Sequence, residues 1–137
     1  EVVKAALTYH FVRTMPDDVR FAVETTFRLS EDSFAEPDFI FFRKSDGLAA
    51  LNPRTALLAV ELADSSLGWD LGRKARIYAT FGIPELWVIE ARTRLCHVHR
   101  RPGLEGYQEI IQLLETETLR SSAVAGLAVT LSALDYP

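Results

Sequence analysis

Two apolar runs decide the fold of this chain, PDFIFFR at residues 37–43 and TALLAVELA at residues 55–63. Apolar residues follow one another in both runs instead of alternating with polar ones, which is typical of strands buried on both faces of a sheet. Each run carries one acidic residue near an end, Asp38 in the first and Glu61 in the second. If the two strands are neighbours, they bring two carboxylates together.

The periodicity of the apolar residues predicts further elements around these runs. In chain order we expect a helix over 1–14, a half-buried strand over 19–29, a polar connection over 30–36, strands over 38–43 and 56–63, a helix over about 67–81, and strands over 86–91, 94–100 and 106–114. Ser65 and Ser66 would cap the second helix, and Gly82 with Pro84 would end it. The tail, about 115–137, would pack on the sheet as a strand or a short helix. This order predicts an α/β (α+β) fold, a mixed β-sheet flanked by helices.

Length and composition fit one soluble domain over residues 1–137, of which 48% are hydrophobic and 25% charged. The start at Glu1, without methionine, suggests that N-terminal residues are missing. No apolar stretch approaches the roughly 20 residues of a membrane span, so we expect no membrane association. The single cysteine, Cys96, excludes an internal disulfide and favours a reducing, cytoplasmic location. The net charge of −4 argues against unspecific coating of nucleic acid but leaves a local basic cleft open.

Asp38, Glu61 and Lys74 form the candidate catalytic set. Carboxylate oxygens are ligands that Mg²⁺ prefers, and one or two of them suffice because the ion keeps several waters. Asp38 and Glu61 are therefore candidate metal ligands, and the backbone carbonyl of Leu62 is a third. Lys74, on the predicted second helix, would orient a water or bind a phosphate oxygen. These groups are the minimum that a metal-dependent phosphodiesterase requires.

Four short motifs in this order and spacing resemble a known family: EPD at 36–38, ELA at 61–63, DxxxK at 70–74 and GIPELW at 82–87. The chain resembles the Uma2, or DUF820, family of restriction-endonuclease-like proteins, which belongs to the PD-(D/E)XK nuclease superfamily. The resemblance covers about residues 19–112. It implies a restriction-endonuclease-like core, a bacterial source and metal-dependent cleavage of DNA.

The resemblance assigns roles to individual residues. Asp38 matches the metal-binding aspartate of the superfamily, and Glu61 matches the acidic residue of its (D/E)-x-K element. Ala63 stands where that element has lysine, and Lys74 matches a lysine that this family carries on the following helix instead. Asp70 and Tyr78, one turn before and one turn after Lys74, match family positions and are possible supporting residues.

Each of these residues also has an ordinary structural explanation. Asp70 and Lys74 have the spacing of a helix ion pair, which for Asp70 is the favoured interpretation. The ring of Tyr78 would pack in the core while its hydroxyl finds a partner. The candidates for contact with nucleic acid are Trp69, which would stack on a base or pack in the core, and Arg73. Arg92 and Arg94 would contact a phosphate backbone or protect a sheet edge from pairing.

The favoured hypothesis is an enzyme, a Mg²⁺-dependent endonuclease that also accepts Mn²⁺ and hydrolyses DNA phosphodiester bonds. Because cleavage of both strands needs two sites, a homodimer is a natural expectation. The alternative is a catalytically inactive nucleic-acid-binding or regulatory module on the same fold, which Ala63 and the negative net charge keep open. A third hypothesis is a protein-interaction domain that uses the sheet edge near residues 94–112.

Overall fold

The computed structural model describes residues 1–64 and 68–137, apart from the side chains of residues 68–71. The predicted capping residues Ser65 and Ser66 lie outside this description. The described chain forms the helices α1 (Val2–Thr14) and α2 (Gly68–Thr80) and the strands β1 (Val19–Val23), β2 (Phe27–Ser30), β3 (Ser33–Ala35), β4 (Phe39–Arg43), β5 (Ala56–Ala63), β6 (Glu85–Glu90), β7 (Cys96–Gly103), β8 (Gly106–Leu113), β9 (Thr118–Arg120) and β10 (Ala128–Thr130). No helix in these ranges has the length and apolar character needed to cross a membrane.

Six of the strands form one mixed sheet in the order β1-β4-β5-β6-β7-β8. β5 and β6 run parallel, and each of the other neighbouring pairs is antiparallel. The parallel pair is joined through α2, because parallel neighbours need a crossover connection. β4, β5 and β6 lie inside the sheet, which explains their continuously apolar sequences. The predicted mixed sheet flanked by helices is confirmed.

The two faces of the sheet are covered by different parts of the chain. On one face, the ring of Phe11 from α1 lies edge-on against Phe39 and Phe41 of β4, with centroid distances of 5.1 and 5.0 Å. The buried residues of the C-terminal segment join this cluster; they are Leu119, Val124, Leu127, Val129 and Leu131. On the opposite face, α2 and β2 pack over Ile40. Asp38 directly precedes β4 and so lies at the end of this buried strand.

The predicted single strand over 19–29 is wrong. The chain leaves the sheet at Glu24, whose φ of 51° is left-handed, and whose N–H donates to the Asp38 carbonyl at 3.1 Å. Residues 27–30 then pair with 33–35 as a separate hairpin, in which β2 falls mostly in the predicted strand and β3 in the predicted connection over 30–36. The alternation of apolar residues continues across the break, since both halves are half-buried strands, so the pattern alone does not reveal it.

The end of α2 matches the prediction from Gly82 and Pro84. Gly82 has a φ of 81°, its N–H donates to the Ala79 carbonyl at 2.9 Å, and the Ile83 N–H donates to the Tyr78 carbonyl at 3.1 Å. This is the Schellman arrangement of a helix C-terminus, in which glycine takes the left-handed position without a Cβ penalty. Ile83 is fully buried and fixes the end of the helix against the sheet.

The C-terminal tail, predicted as strand or short helix, forms the hairpin of β9 and β10 followed by a short 3-10 turn at Leu131–Ala133. Glu85, at the start of β6, attaches this tail to the sheet. Its carboxylate is fully buried and accepts five hydrogen bonds, from Trp87 Nε1, Arg100 Nε, Ser121 Oγ and the backbone N–H groups of Ser122 and Ala123. A buried charge is tolerated only when it is paired and hydrogen-bonded, and here both conditions are met.

Candidate active site

Asp38 and Glu61 lie opposite each other on neighbouring strands. β4 and β5 pair with Phe39 opposite Val60, so the next step of the antiparallel register sets Asp38 against Glu61. The Leu62 N–H donates to Asp38 Oδ2 at 2.7 Å, which holds the aspartate at the edge between the strands. The structure thus brings together the two carboxylates that the sequence placed at the ends of separate apolar runs.

Glu61 is the buried member of the pair. Its side chain is 6% exposed, and Oε2 accepts a hydrogen bond of 2.6 Å from the Tyr78 hydroxyl. Burial raises the pKa of Glu61; the charge of Asp38 raises it further, whereas the Tyr78 hydrogen bond and the Lys74 charge lower it without cancelling the effect. The ionised form of Glu61 therefore costs the folded protein stability.

Tyr78 and Lys74 approach Glu61 from α2, one turn apart. Burial, and then the negative charge of Glu61, raise the pKa of Tyr78 well above its usual range, so this hydroxyl stays protonated and donates. Lys74 Nζ lies 3.8 Å from Glu61 Oε1, and its side chain is 47% exposed. Lys74 therefore reaches the carboxylate at the surface, where it remains free to reach a bound anion.

Lys4 is a site residue that the sequence does not reveal. It comes from α1, and its Nζ lies 3.1 Å from Asp38 Oδ1 and 2.5 Å from Glu24 Oε2. Burial lowers the pKa of Lys4, but its hydrogen bonds with Glu24 and Asp38 and their charges outweigh burial and leave the pKa raised. The site therefore holds two carboxylates and two ammonium groups, with Lys4 against Asp38 and Lys74 against Glu61.

A cavity of about 350 Å³ opens beside Glu61, Lys74 and Tyr78. Its remaining walls come from Ile77 of α2 and from the β2–β3 hairpin with the residue after it, Leu29, Phe34, Ala35 and Glu36. Because the hairpin leaves the main sheet at Glu24, it can fold over the ends of β4 and β5. The departure at Glu24 thus creates a wall of the candidate site.

A family model described as "Uma2: Putative restriction endonuclease" matches residues 2–133. The chain belongs to the Uma2 family. A crystal structure described as "a putative nuclease belonging to DUF820" from Anabaena variabilis ATCC 29413 shares the fold with a TM-score of 0.67, covering 96% of this chain and 72% of that chain at 14% identity. No curated protein sequence matches. The chain therefore has a restriction-endonuclease-like fold and belongs to a family of nuclease-like proteins.

The donor set of this Uma2 chain fits a hard divalent cation. Asp38 and Glu61 supply carboxylate oxygens, and the carbonyl of Leu62 leaves the strand on the same side as the N–H that contacts Asp38. Lys4 and Lys74 already place positive charge against both carboxylates. Within the described residues there is no cluster of three or more His, Cys, Asp or Glu side chains, so waters would complete the coordination of Mg²⁺.

The other predicted site residues of this Uma2 chain lie on α2, in the turn after β6 and beside the C-terminus. Trp69 and Asp70 fall in the first turns of α2, and their side chains lie outside the described part. Arg73 is exposed on α2, and Arg92 is exposed in the turn after β6. The Arg94 guanidinium lies over the Tyr136 ring at 4.0 Å, a contact that stabilises the C-terminus. Contact of any of these residues with nucleic acid stays a prediction.

Proposed function

We propose that this chain is a metal-dependent endonuclease that hydrolyses DNA phosphodiester bonds, with Asp38 and Glu61 as ligands of Mg²⁺ and with Mn²⁺ as a substitute. The observation that carries the proposal is the pairing of these carboxylates on neighbouring strands, with Lys74 beside Glu61 and an open cavity next to them. Cleavage of both strands of a duplex would need two such sites, and we include a homodimer in the proposal.

In this proposal some residues of the site bind the metal ion, and others position the substrate or the attacking water. When bound, Mg²⁺ supplies neutralisation of phosphate charge and a lowered pKa of an attacking water. Asp38 and Glu61 hold the ion, and the Tyr78 hydroxyl keeps one Glu61 oxygen in place. Lys74, half exposed at the cavity, binds a phosphate oxygen or orients the water. Lys4 holds Asp38 in position before an ion arrives.

Metal binding tests the proposal most directly, because a nuclease assay also fails when the DNA is the wrong one. Titration calorimetry with Mn²⁺, with and without a DNA duplex, should show a site in the wild type that disappears in the double variant Asp38→Asn, Glu61→Gln. Glu90→Gln is a matched control, since Glu90 is a paired carboxylate on an interior strand, 2.7 Å from His97. Equal binding by the double variant, or a folded wild type that binds no ion in either titration, would overturn the assignment.

Lys74 is expected to affect cleavage but not metal binding. Lys74→Met should lower the cleavage rate by about 10²–10⁴-fold, the usual contribution of a positioned proton-transfer or anion-binding group. The affinity of the Lys74→Met variant for Mn²⁺ should stay the same or increase, because the substitution removes a positive charge 3.8 Å from Glu61. Arg76→Met, which removes another exposed cation from α2, is the control. A Lys74→Met enzyme that cleaves at the wild-type rate contradicts the role of Lys74.

A second candidate function is a non-catalytic nucleic-acid-binding module. Two observations favour it: Ala63 replaces the in-strand lysine, and Lys4 already neutralises Asp38. The two functions differ in one measurable respect. A binding module retains salt-dependent DNA affinity when Glu61 becomes Gln and needs no metal, whereas the nuclease loses metal-dependent cleavage.

A further inference from the structure

Phe34, on β3, is placed unlike the other phenylalanines of the chain. Its side chain is 57% exposed, whereas every other phenylalanine is buried or half-buried. An aromatic side chain exposed on a small hairpin contributes little to the core. Phe34 also lies beside the candidate catalytic residues, because it lines the cavity that contains Glu61 and Lys74.

The Phe34 ring is held in place by a cation from the opposite strand. Arg28 is the register partner of Phe34, and its guanidinium lies 4.9 Å from the ring centroid. The guanidinium is fixed in turn by a hydrogen bond of 2.9 Å from Nη1 to the Glu31 carbonyl. A ring fixed in advance loses little conformational freedom when another flat group stacks on it.

The polar groups around the ring favour a nucleobase over a phosphate as its partner. Glu36 lines the same cavity, and its carboxylate, which accepts a hydrogen bond of 2.6 Å from Thr26, would repel a phosphate. A carboxylate also accepts hydrogen bonds from base amino groups. Lys74, on the other side of the cavity, supplies the positive charge that a backbone phosphate needs. Ring, carboxylate and ammonium group thus line one cavity, in which a base and its phosphate would each find a suitable partner.

We propose that Phe34 and Arg28 form a stacking platform for an unpaired nucleobase adjacent to the phosphodiester at the Asp38–Glu61 site. The proposal rests on the proposed nuclease function and makes it more specific. Bases inside a duplex have both faces covered, so the substrate class is single-stranded nucleic acid or a nucleotide flipped out of a duplex. DNA and RNA both present such a base.

Fluorescence anisotropy with labelled 12-nucleotide strands in EDTA tests the platform without cleavage. Phe34→Ala should weaken binding of the single strand by about 5- to 150-fold, as expected from 1–3 kcal/mol of stacking per base. Phe34→Trp should retain or increase the affinity, because it keeps an aromatic face. The salt dependence should be the same in all three proteins, since no phosphate contact is removed. Strands of the same sequence in DNA and RNA show which nucleic acid is bound more tightly.

Tyr9→Ala is a matched control, because Tyr9 is a 53% exposed aromatic residue with an arginine, Arg13, 4.8 Å from its ring, on the helix that covers the opposite face of the sheet. It should bind single strands as the wild type does. Wild-type affinity in Phe34→Ala, an equal loss in Tyr9→Ala, or a wild type that binds no single strand would each overturn the platform. Mn²⁺ titration of Phe34→Ala separates this failure from that of the proposed function, because the metal site should be intact in the variant.

Discussion

Replacement of Glu85 with alanine should destabilise the fold by about 3–5 kcal/mol, the usual cost of removing one partner from a buried, paired charge. The carboxylate is fully buried and accepts hydrogen bonds from Trp87, Arg100 and the segment that begins at Ser121. Without it, an indole N–H, a guanidinium and two backbone N–H groups lose their acceptor inside the protein, and each unsatisfied group costs about 1–3 kcal/mol. The C-terminal segment also loses its attachment to β6.

Urea unfolding of Glu85→Ala beside Glu109→Ala measures this effect. Glu109 is also paired across neighbouring strands with an arginine, Arg101, at 3.6 Å. Both side chains are more than a third exposed, at 67% for Arg101 and 35% for Glu109. An exposed pair of this kind contributes only about 0–1 kcal/mol. A loss of free energy of unfolding in Glu85→Ala no greater than that in Glu109→Ala would show that the buried network does not stabilise the fold.

The interior of the sheet could be predicted because strands that are buried on both faces have a recognisable sequence pattern. Strands covered on both faces, such as β4 and β5, have continuous apolar runs, and the helix between β5 and β6 ends at Gly82 with a local signal. The point at which the chain leaves the sheet, Glu24, has no such sequence pattern. A single residue in the left-handed region redirects the chain while the alternation of apolar and polar residues in the sequence continues. The first strand of the hairpin that walls the cavity is therefore predicted as part of a straight strand, and its second strand as part of a connection.

The acidic half of the candidate site could be predicted, and its basic half only in part. Asp38 and Glu61 interrupt apolar runs, so their positions are conspicuous in the sequence. Lys4 stands beside the apolar stripe of α1, and only the docking of that helix brings it to Asp38, 34 residues away. Glu85 was missed for the same reason, because an acidic residue after proline at a strand start resembles an exposed one until residues 121–123 cover it.

Glu61→Gln should stabilise the protein while it removes metal-dependent cleavage. Burial disfavours the charged form of Glu61, and glutamine keeps an oxygen that accepts the Tyr78 hydrogen bond without carrying that charge. We expect a gain of about 0.5–2 kcal/mol, typical of substitutions that relieve a functional site, and a melting temperature higher by a few degrees. Glu90→Gln, at a more exposed strand end, should show no such gain. A lower melting temperature in Glu61→Gln would contradict the prediction.

The pH dependence of this gain identifies its cause. A group whose pKa is raised by folding favours the folded state when protonated, so Glu61 contributes stability below its unfolded pKa of about 4.5, and this contribution is lost as the pH rises through the raised folded value. The advantage of Glu61→Gln should therefore be largest near pH 7 and shrink as the pH falls toward 4.5. Bound Mn²⁺ should reverse the order at neutral pH, because an ion held by Asp38 and Glu61 stabilises only the wild type. A constant advantage at every pH would mean that glutamine stabilises the site through packing. The buried charge of Glu61 would then not be the cause of the lower stability of the wild type.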